Sequence, residues 1–243
     1  MRLAVLSDIH SNLPALEAVL AAIDGIGGVD GIRVLGDIVG YGPHPDEVVA
    51  RLRAEDAVAV AGNHDRAAVG GDEIEWFNTD ARAAIEWTRG RIGAETSAWL
   101  TDLPERLVDG GFTLVHGSPR DPTWEYILDP SIAAANLAAF GTPHALFGHT
   151  HLPIAYRRQG IRMREIVPDP GDELALGTSR TMLNPGSVGQ PRDGDPDSSW
   201  LLLDTDRGLA TWHRTPYDRA ATQAAMRRVG LPSRLVARLD LGA

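Results

Sequence analysis

The sequence predicts an α/β protein built as a four-layer α-β-β-α sandwich, two mixed sheets with helices outside. Three observations carry this. The first third alternates short apolar runs with amphipathic segments, a βαβαβ rhythm that calls for parallel strands with helices on their faces. After His151 the pattern changes to strand-like runs separated by turn residues, which adds antiparallel strands. And the apolar runs of the first two thirds end in clusters of Asp, Asn and His, beginning with "LSDIHSN" at residues 6–12.

The elements follow in order. "RLAVL" reads as a strand, and "LPALEAVLAAIDGIG" as a helix stopped by glycine. "GIRVLGD" is the second strand. "PDEVVARLRAED" is a helix, with Pro45 at its start and acids in its first turn to complement the helix dipole. "AVAVAGNHD" is the third strand. Residues 72–103 are helical and hold Trp76, Phe77, Trp87 and Trp99. They read as two amphipathic helices packed on the sheet, with a cap-like insertion over a pocket as the alternative. "FTLVHG" and "HALFGHTH" are strands on either side of an alanine-rich helix at 131–140. "IAYRRQGIRMREIV" is a hairpin turning at Gln159 and Gly160, and "TMLNPGSVG", "SWLLLDTDRG" and "LATWHRTP" are further strands. "DRAATQAAMRRVG" and "SRLVARLD" are closing helices. "GQPRDGDPDSS" is expected to be a mobile loop. No linker or repeat interrupts the pattern, so one domain is expected over 1–243.

Apolar content of 43% and charged content of 23% are ordinary for a soluble globular chain. There is no cysteine, which excludes disulfides and thiolate metal sites, so any metal is held by oxygen and nitrogen. The net charge of −10 repels polyanions and argues against nucleic acid as the main partner, while leaving room for a small phosphorylated substrate. "MRLAVLSD" meets an acid too soon for a signal peptide, and "SIAAANLAAFG" is too short to span a bilayer. The expectation is a cytoplasmic protein without a membrane partner.

The strand ends bear the chemistry. They carry Asp8 and His10, then Asp37, then Asn63, His64 and Asp65, then His116, then His149 and His151. In parallel sheets the carboxyl ends of strands converge on one edge, where ligands bind. Any one cluster alone is more simply a turn or a hydrogen-bonded core histidine. Together they hold five of the eight histidines, leaving His44, His144 and His213 as incidental. Alternate residues on extended chain share a face, so Asp8 with His10, and His149 with His151, read as pairs aimed at one object.

The order Asp-x-His, Gly-Asp, Gly-Asn-His-Asp, His, Gly-His-x-His resembles the calcineurin-like metallophosphoesterase superfamily, and its small bacterial and archaeal phosphoesterases in particular. "GDIVGYGPHP", "HGSPRDPTWEYI" and "NPGSVGQPR" add to the likeness, which runs from Asp8 to Arg192. The resemblance implies a dinuclear metal site at the strand carboxyl ends. Asp8, His10 and His151 would take one divalent ion; Asn63, His116 and His149 would take the other; Asp37 would bridge them. His64 would be catalytic, facing the phosphoryl group and the leaving oxygen. A bridging hydroxide would attack, the two ions clamping attacking and leaving oxygens at a spacing of about 3.5–4 Å. Imidazole and carboxylate without thiolate suit manganese, iron, zinc, nickel or cobalt. Two divalent ions outweigh Asp8 and Asp37, so the loaded site attracts phosphate inside an acidic protein.

The chain departs from the family's protein phosphatases at "GDIVGYG", where Gly40 and Tyr41 replace an Asp and an Arg. That puts a protein-phosphatase reading in doubt and leaves His64 without an assigned partner. Asp65 either orients His64 or caps the following helix. Tyr41 either touches substrate or packs in its loop. Trp124 and Tyr126 either wall a pocket or pack on the body, and Arg192 either reaches phosphate or lies in solvent. The resemblance thus implies hydrolysis of a small phosphomonoester or phosphodiester. Alternatives are a dinucleoside polyphosphate hydrolase and a non-catalytic metal-bound scaffold, the latter disfavoured because all seven ligand positions are filled.

Overall fold

β1 (Arg2–Leu6) shows how the layers form. Leu3 and Val5 point one way and Ala4 and Leu6 the other, and both faces are apolar and buried. The strand therefore needs partners on both sides. In the computed structural model, which describes residues 1–243 apart from the side chains of residues 72 and 73, it has them. Leu3 and Val5 meet Leu114 and Leu146 of a second sheet. Ala4 and Leu6 meet Leu16 and Val19 of α1 (Leu13–Gly25) and Val48 and Leu52 of α2 (Pro45–Ala54). The second sheet repeats this: Val115 and Phe147 face outward against Ala133 of α6 (Pro130–Asn136). The layers run helix, sheet, sheet, helix, as expected.

The first sheet has the order β3-β2-β1-β11-β12-β9 and the second β4-β5-β6-β10-β7-β8. β2 (Gly31–Val34) and β3 (Val58–Ala59) run parallel to β1. β5 (Phe112–Val115), β6 (His144–Leu146) and β10 (Thr181–Pro185) run parallel to one another. β11 (Ser198–Asp204) and β12 (Leu209–Thr215) extend the first sheet as an antiparallel hairpin. β7 (Pro153–Gln159) and β8 (Arg162–Ile166) do the same for the second. The turn between β7 and β8 lies at Gly160 and Ile161, one residue later than expected, because Gly160 takes the left-handed position (φ 60°). Two edge strands escape the sequence pattern, β4 (Arg106–Asp109) and β9 (Glu173–Ala175), since one face of each carries charge to solvent.

Residues 72–103 form a 3₁₀ turn, Asp72–Trp76, then α4 (Thr79–Arg89) and α5 (Ala94–Asp102). α5 buries Leu100 against the first sheet's helical layer. α4 sets Ala81 and Ala84 against Leu235 and Leu239 of α8 (Ser233–Leu241), which follows α7 (Arg219–Arg228). The stretch expected to be mobile, "GQPRDGDPDSS", is instead pinned. Gly194 donates to the Gly242 carbonyl at 2.8 Å, and Asp197 takes Arg219 at 2.7 Å and Arg214 at 2.9 Å on its side chain and carbonyl respectively. Among the described residues no helix is long and apolar enough to cross a membrane.

Candidate metal centre

Parallel pairing puts the carboxyl ends of β1, β2, β3, β5 and β6 along one edge, and hydrogen bonds lock the loops there together. Asp8 N–H donates to the Gly36 carbonyl at 3.1 Å and His10 N–H to that of Asp37 at 2.9 Å. Gly148 N–H donates to the His116 carbonyl at 2.8 Å, and His149 N–H reaches across the sheets to Asp8 Oδ2 at 3.2 Å. All seven expected ligand residues and His64 are buried there.

They fall into two groups. Asp8, His10, Asp37 and His151 bring ligand atoms within 4.8 Å of one another, and so do Asp37, His116 and His149. Asp37 belongs to both. Asn63 joins the second group, its Oδ1 3.1 Å from His116 Nε2.

The route to this arrangement is not the extended chain expected from residue spacing. β1 stops at Leu6 and β6 at Leu146. Asp8, His10, Asp37, His149 and His151 all have left-handed backbone, with φ of 53°, 49°, 51°, 66° and 60°. Such conformations cost about 1–3 kcal/mol each and persist only where the surroundings enforce them. The left-handed turns split the His149/His151 pair. His149 goes to His116, its Nδ1 3.0 Å from His116 Nε2, and His151 goes to Asp8 at 3.1 Å. Gly62 has its own reason to be glycine: a Cβ there would overlap Asp37 Oδ1.

The donor set fits a divalent cation. Nδ1 of His10 donates to the Val39 carbonyl at 3.2 Å, Nδ1 of His151 to that of Gln190 at 2.5 Å, and Nδ1 of His116 to that of Leu35 at 2.8 Å. A carbonyl only accepts, so in each neutral ring the proton sits on Nδ1 and the Nε2 lone pair faces the cluster. The Nε2 atoms of His10 and His151 then face each other at 3.2 Å. Two lone pairs at that distance repel unless a cation lies between them. Asp8 Oδ1 and His149 Nε2 are buried without hydrogen-bond partners. Nitrogen and oxygen donors short of a cation are what a divalent metal would satisfy.

The electrostatics agree. Burial works against the charge on Asp8 and Asp37, yet His151 beside Asp8 and His116 beside Asp37 hold both carboxyls well below their ordinary range. Burial also opposes charge on His116, but Asp37 and Asp8 carry it up to about 9, so without a metal a proton on Nε2 takes the place of the cation there. Burial pushes His10 and His151 down, and His149 down to about 3.

His64 sits beside both groups, at the shared Asp37. Its backbone N–H donates to Asp37 Oδ1 at 2.9 Å, and its ring meets those of Tyr41 at 4.4 Å, His10 at 4.8 Å and Phe77 at 4.8 Å. Nδ1 is buried without a partner against Gly40, where a Cβ would overlap it. Burial pushes the ring down to about 4, against the pull of Asp37. Asp65 does not orient it. Asp65 Oδ1 accepts from Ile38 N–H at 2.9 Å and Val39 N–H at 3.0 Å, and Oδ2 from Gly62 N–H at 2.9 Å. It therefore caps α3 (Asn63–Ala68) and ties the Asp37 loop to it.

A cleft of about 240 Å³ opens above the two groups. Tyr41, Trp124, Tyr126 and Arg192 all line it, so the pocket-facing alternative holds for each, although Tyr41 is also packed. Tyr126 stacks on His149 with ring centres 3.7 Å apart. Trp76 and Phe77, from the segment whose alternative reading was a cap over a pocket, line it too, and Arg238 joins them unforeseen. Arg238 lies on the last helix and has no sequence signal, whereas the aromatic pair "WF" at 76–77 was visible and read as packing first and as part of a cap second. His44, His144 and His213 lie outside the two groups, the last stacked on Trp200 at 4.2 Å.

Comparison with known proteins extends the geometry. Residues 1–208 match the calcineurin-like phosphoesterase superfamily domain. An uncharacterised protein of Methanocaldococcus jannaschii is 34% identical over 99% of this chain and 98% of its own. The crystal structure of a metallophosphoesterase from Sphaerobacter thermophilus is 46% identical and superposes over the whole of both chains with a TM-score of 0.91. Phosphodiesterase YfcE of Escherichia coli is 28% identical over 85% of this chain and 89% of its own. The family match runs from the first strand past β11 and takes in every residue of the two groups; on that extent, this chain belongs to the calcineurin-like phosphoesterase superfamily and is a metal-dependent phosphoester hydrolase.

Proposed function

We propose that this chain hydrolyses a small phosphodiester or phosphomonoester with two divalent ions. Asp8, His10 and His151 would hold one; Asn63, His116 and His149 the other; Asp37 both. The observation that carries the proposal is the sharing of Asp37 between two groups of buried donors. One carboxylate has two oxygens and can serve two ions at once. When bound, the ions would withdraw charge from a phosphoryl oxygen and make water a competent nucleophile near neutral pH. Manganese, iron, zinc and nickel all suit such donors.

His64 is the proposed catalytic side chain. With Nδ1 buried against Gly40, Nε2 is the ring nitrogen left to face the cleft, where it would handle the proton at the departing oxygen. The phosphodiesterase name of the Escherichia coli relative favours a diester. The cleft favours a small ester over a dinucleoside polyphosphate, because its volume of about 240 Å³ is below the range of about 300–1,000 Å³ usual for drug-sized ligands.

The test is hydrolysis of an aryl phosphomonoester and an aryl phosphodiester by metal-stripped protein, titrated with manganese, nickel, zinc and magnesium. Turnover restored by metal, and reduced about 100-fold or more in His64→Ala, is expected. Two ions bound per chain with no turnover of either ester would overturn the proposal.

A further inference from the structure

The rings and cations of the cleft lie in a fixed order. The Arg192 guanidinium is 5.9 Å from the centre of the Tyr41 ring. Tyr41 touches His64, His64 touches Phe77, Phe77 meets Trp124 at 5.2 Å, and Trp124 meets Trp76 at 5.0 Å. His64 thus stands between a cationic end and an indole end.

The cationic end is built. Gln190 is buried, and its carbonyl oxygen fixes His151 while its side-chain Oε1 accepts from Arg192 at 3.0 Å and from Arg238 at 3.2 Å. Two guanidiniums therefore converge on one neutral oxygen. Arg192 Nε is buried without a partner, while Arg238 Nε donates to the oxygen of Ala243, the last residue, at 2.6 Å. Two adjacent guanidiniums that line one cleft and share a neutral amide oxygen there suit an anion. The indole end is the opposite: Trp76 is 69% exposed at the lip, a large flat surface left open to solvent beside Trp124. Exposed aromatic faces bind planar rings by stacking.

Resting on the phosphoester-hydrolase reading, we propose that the cleft selects nucleotides of nucleoside-diphosphate type: the base stacks at Trp124 and Trp76, the reacting phosphoryl group lies by His64 and Asp37, and a second phosphate is held by Arg192 and Arg238. Simple alkyl esters lack both outer contacts and are poor ligands by comparison. The cleft of about 240 Å³ takes the phosphates, and the base lies outside it on the open lip, where one platform is present.

Calorimetric titration of the manganese-loaded protein tests this with three non-reacting or product-like probes: α,β-methylene-ADP, AMP and methylenediphosphonate. The wild-type chain is expected to bind α,β-methylene-ADP about tenfold or more tighter than either of the others. Trp124→Ala should bring it to the level of methylenediphosphonate, and Trp124→Phe should retain most of the advantage. Arg238→Ala should bring it to the level of AMP. Equal affinity for all three probes in the wild type, or variants that weaken all three alike, would overturn the inference. Ester hydrolysis without these preferences defeats this inference alone. The preferences without hydrolysis of any ester defeat the hydrolase reading and leave the selectivity standing.

Discussion

Asp65 is a small side chain whose removal is expected to cost several backbone hydrogen bonds at once. It is fully buried and accepts three backbone N–H groups, from Ile38, Val39 and Gly62, at 2.9–3.0 Å. In Asp65→Ala all three donors lose their acceptor. A buried donor left unsatisfied costs about 1–3 kcal/mol, and partial relaxation with water entry brings the sum to about 3–5 kcal/mol. In Asp65→Asn, Oδ1 can still serve Ile38 and Val39, but the amide nitrogen meets Gly62 N–H, donor against donor. The expected loss is about 1–3 kcal/mol. Stability by urea denaturation should therefore fall in the order wild type, Asn, Ala. The same bonds hold the Asp37 loop to the turn bearing Asn63 and His64, so manganese affinity should fall in the same order. An Asn variant as stable as wild type, or an Ala variant that binds manganese undiminished, would refute the reasoning.

Three further outcomes follow from geometry already described. Manganese at a thousand times its dissociation constant should stabilise the chain by about 4 kcal/mol, a rise in Tm of about 8–16 °C for this size, and Asp37→Asn should remove most of the rise in a thermal melt; an unchanged rise would mean Asp37 is not shared. Gly40→Ala places a Cβ against the His64 ring at a backbone φ of 86°, so ester turnover should fall at least tenfold while manganese binding survives; normal kcat would show that the ring has room to shift. Glu125 is pushed up by burial but held down at about 2 by hydrogen bonds from Arg120, Ser118 and Asn136. A lowered carboxyl stabilises the fold above its unfolded value of about 4.3 and ceases to as pH falls towards 2. The stability gap between wild type and Glu125→Gln should accordingly narrow from pH 5 to pH 2, and a gap independent of pH would exclude the charge as its cause.

The layer order was legible because apolar runs of the right length leave few packing solutions. β1 is apolar on both faces, and only a buried strand between two layers accommodates that. The site was legible for a related reason: carboxyl ends of parallel strands share an edge, so residue order along the chain was enough to gather Asp8, Asp37, Asn63, His116 and His149. What the sequence hid is set by backbone conformation and by distant contacts. The left-handed turns at Asp8, His10, His149 and His151 overrule the period-two reading and send the two histidines of "GHTH" to different groups. Arg238 is one charged residue on an amphipathic helix, and only the packing of α8 against α4 brings it to the cleft. Trp76 looked like packing because an exposed tryptophan and a buried one have the same letter.

Asp8, His10, Asp37 and Asn63 come from the first sheet, while His116, His149 and His151 come from the second. Each group of donors draws on both, so any cation held in either is gripped from two sides of the central interface. In a chain without cysteine, such an ion does the work of a cross-link. Prying the sheets apart would mean stripping the ion first, and its grip would be felt as slow unfolding as well as in equilibrium stability. It would also be a bond that a chelator can cut, so that the same chain is rugged in one solution and fragile in the next.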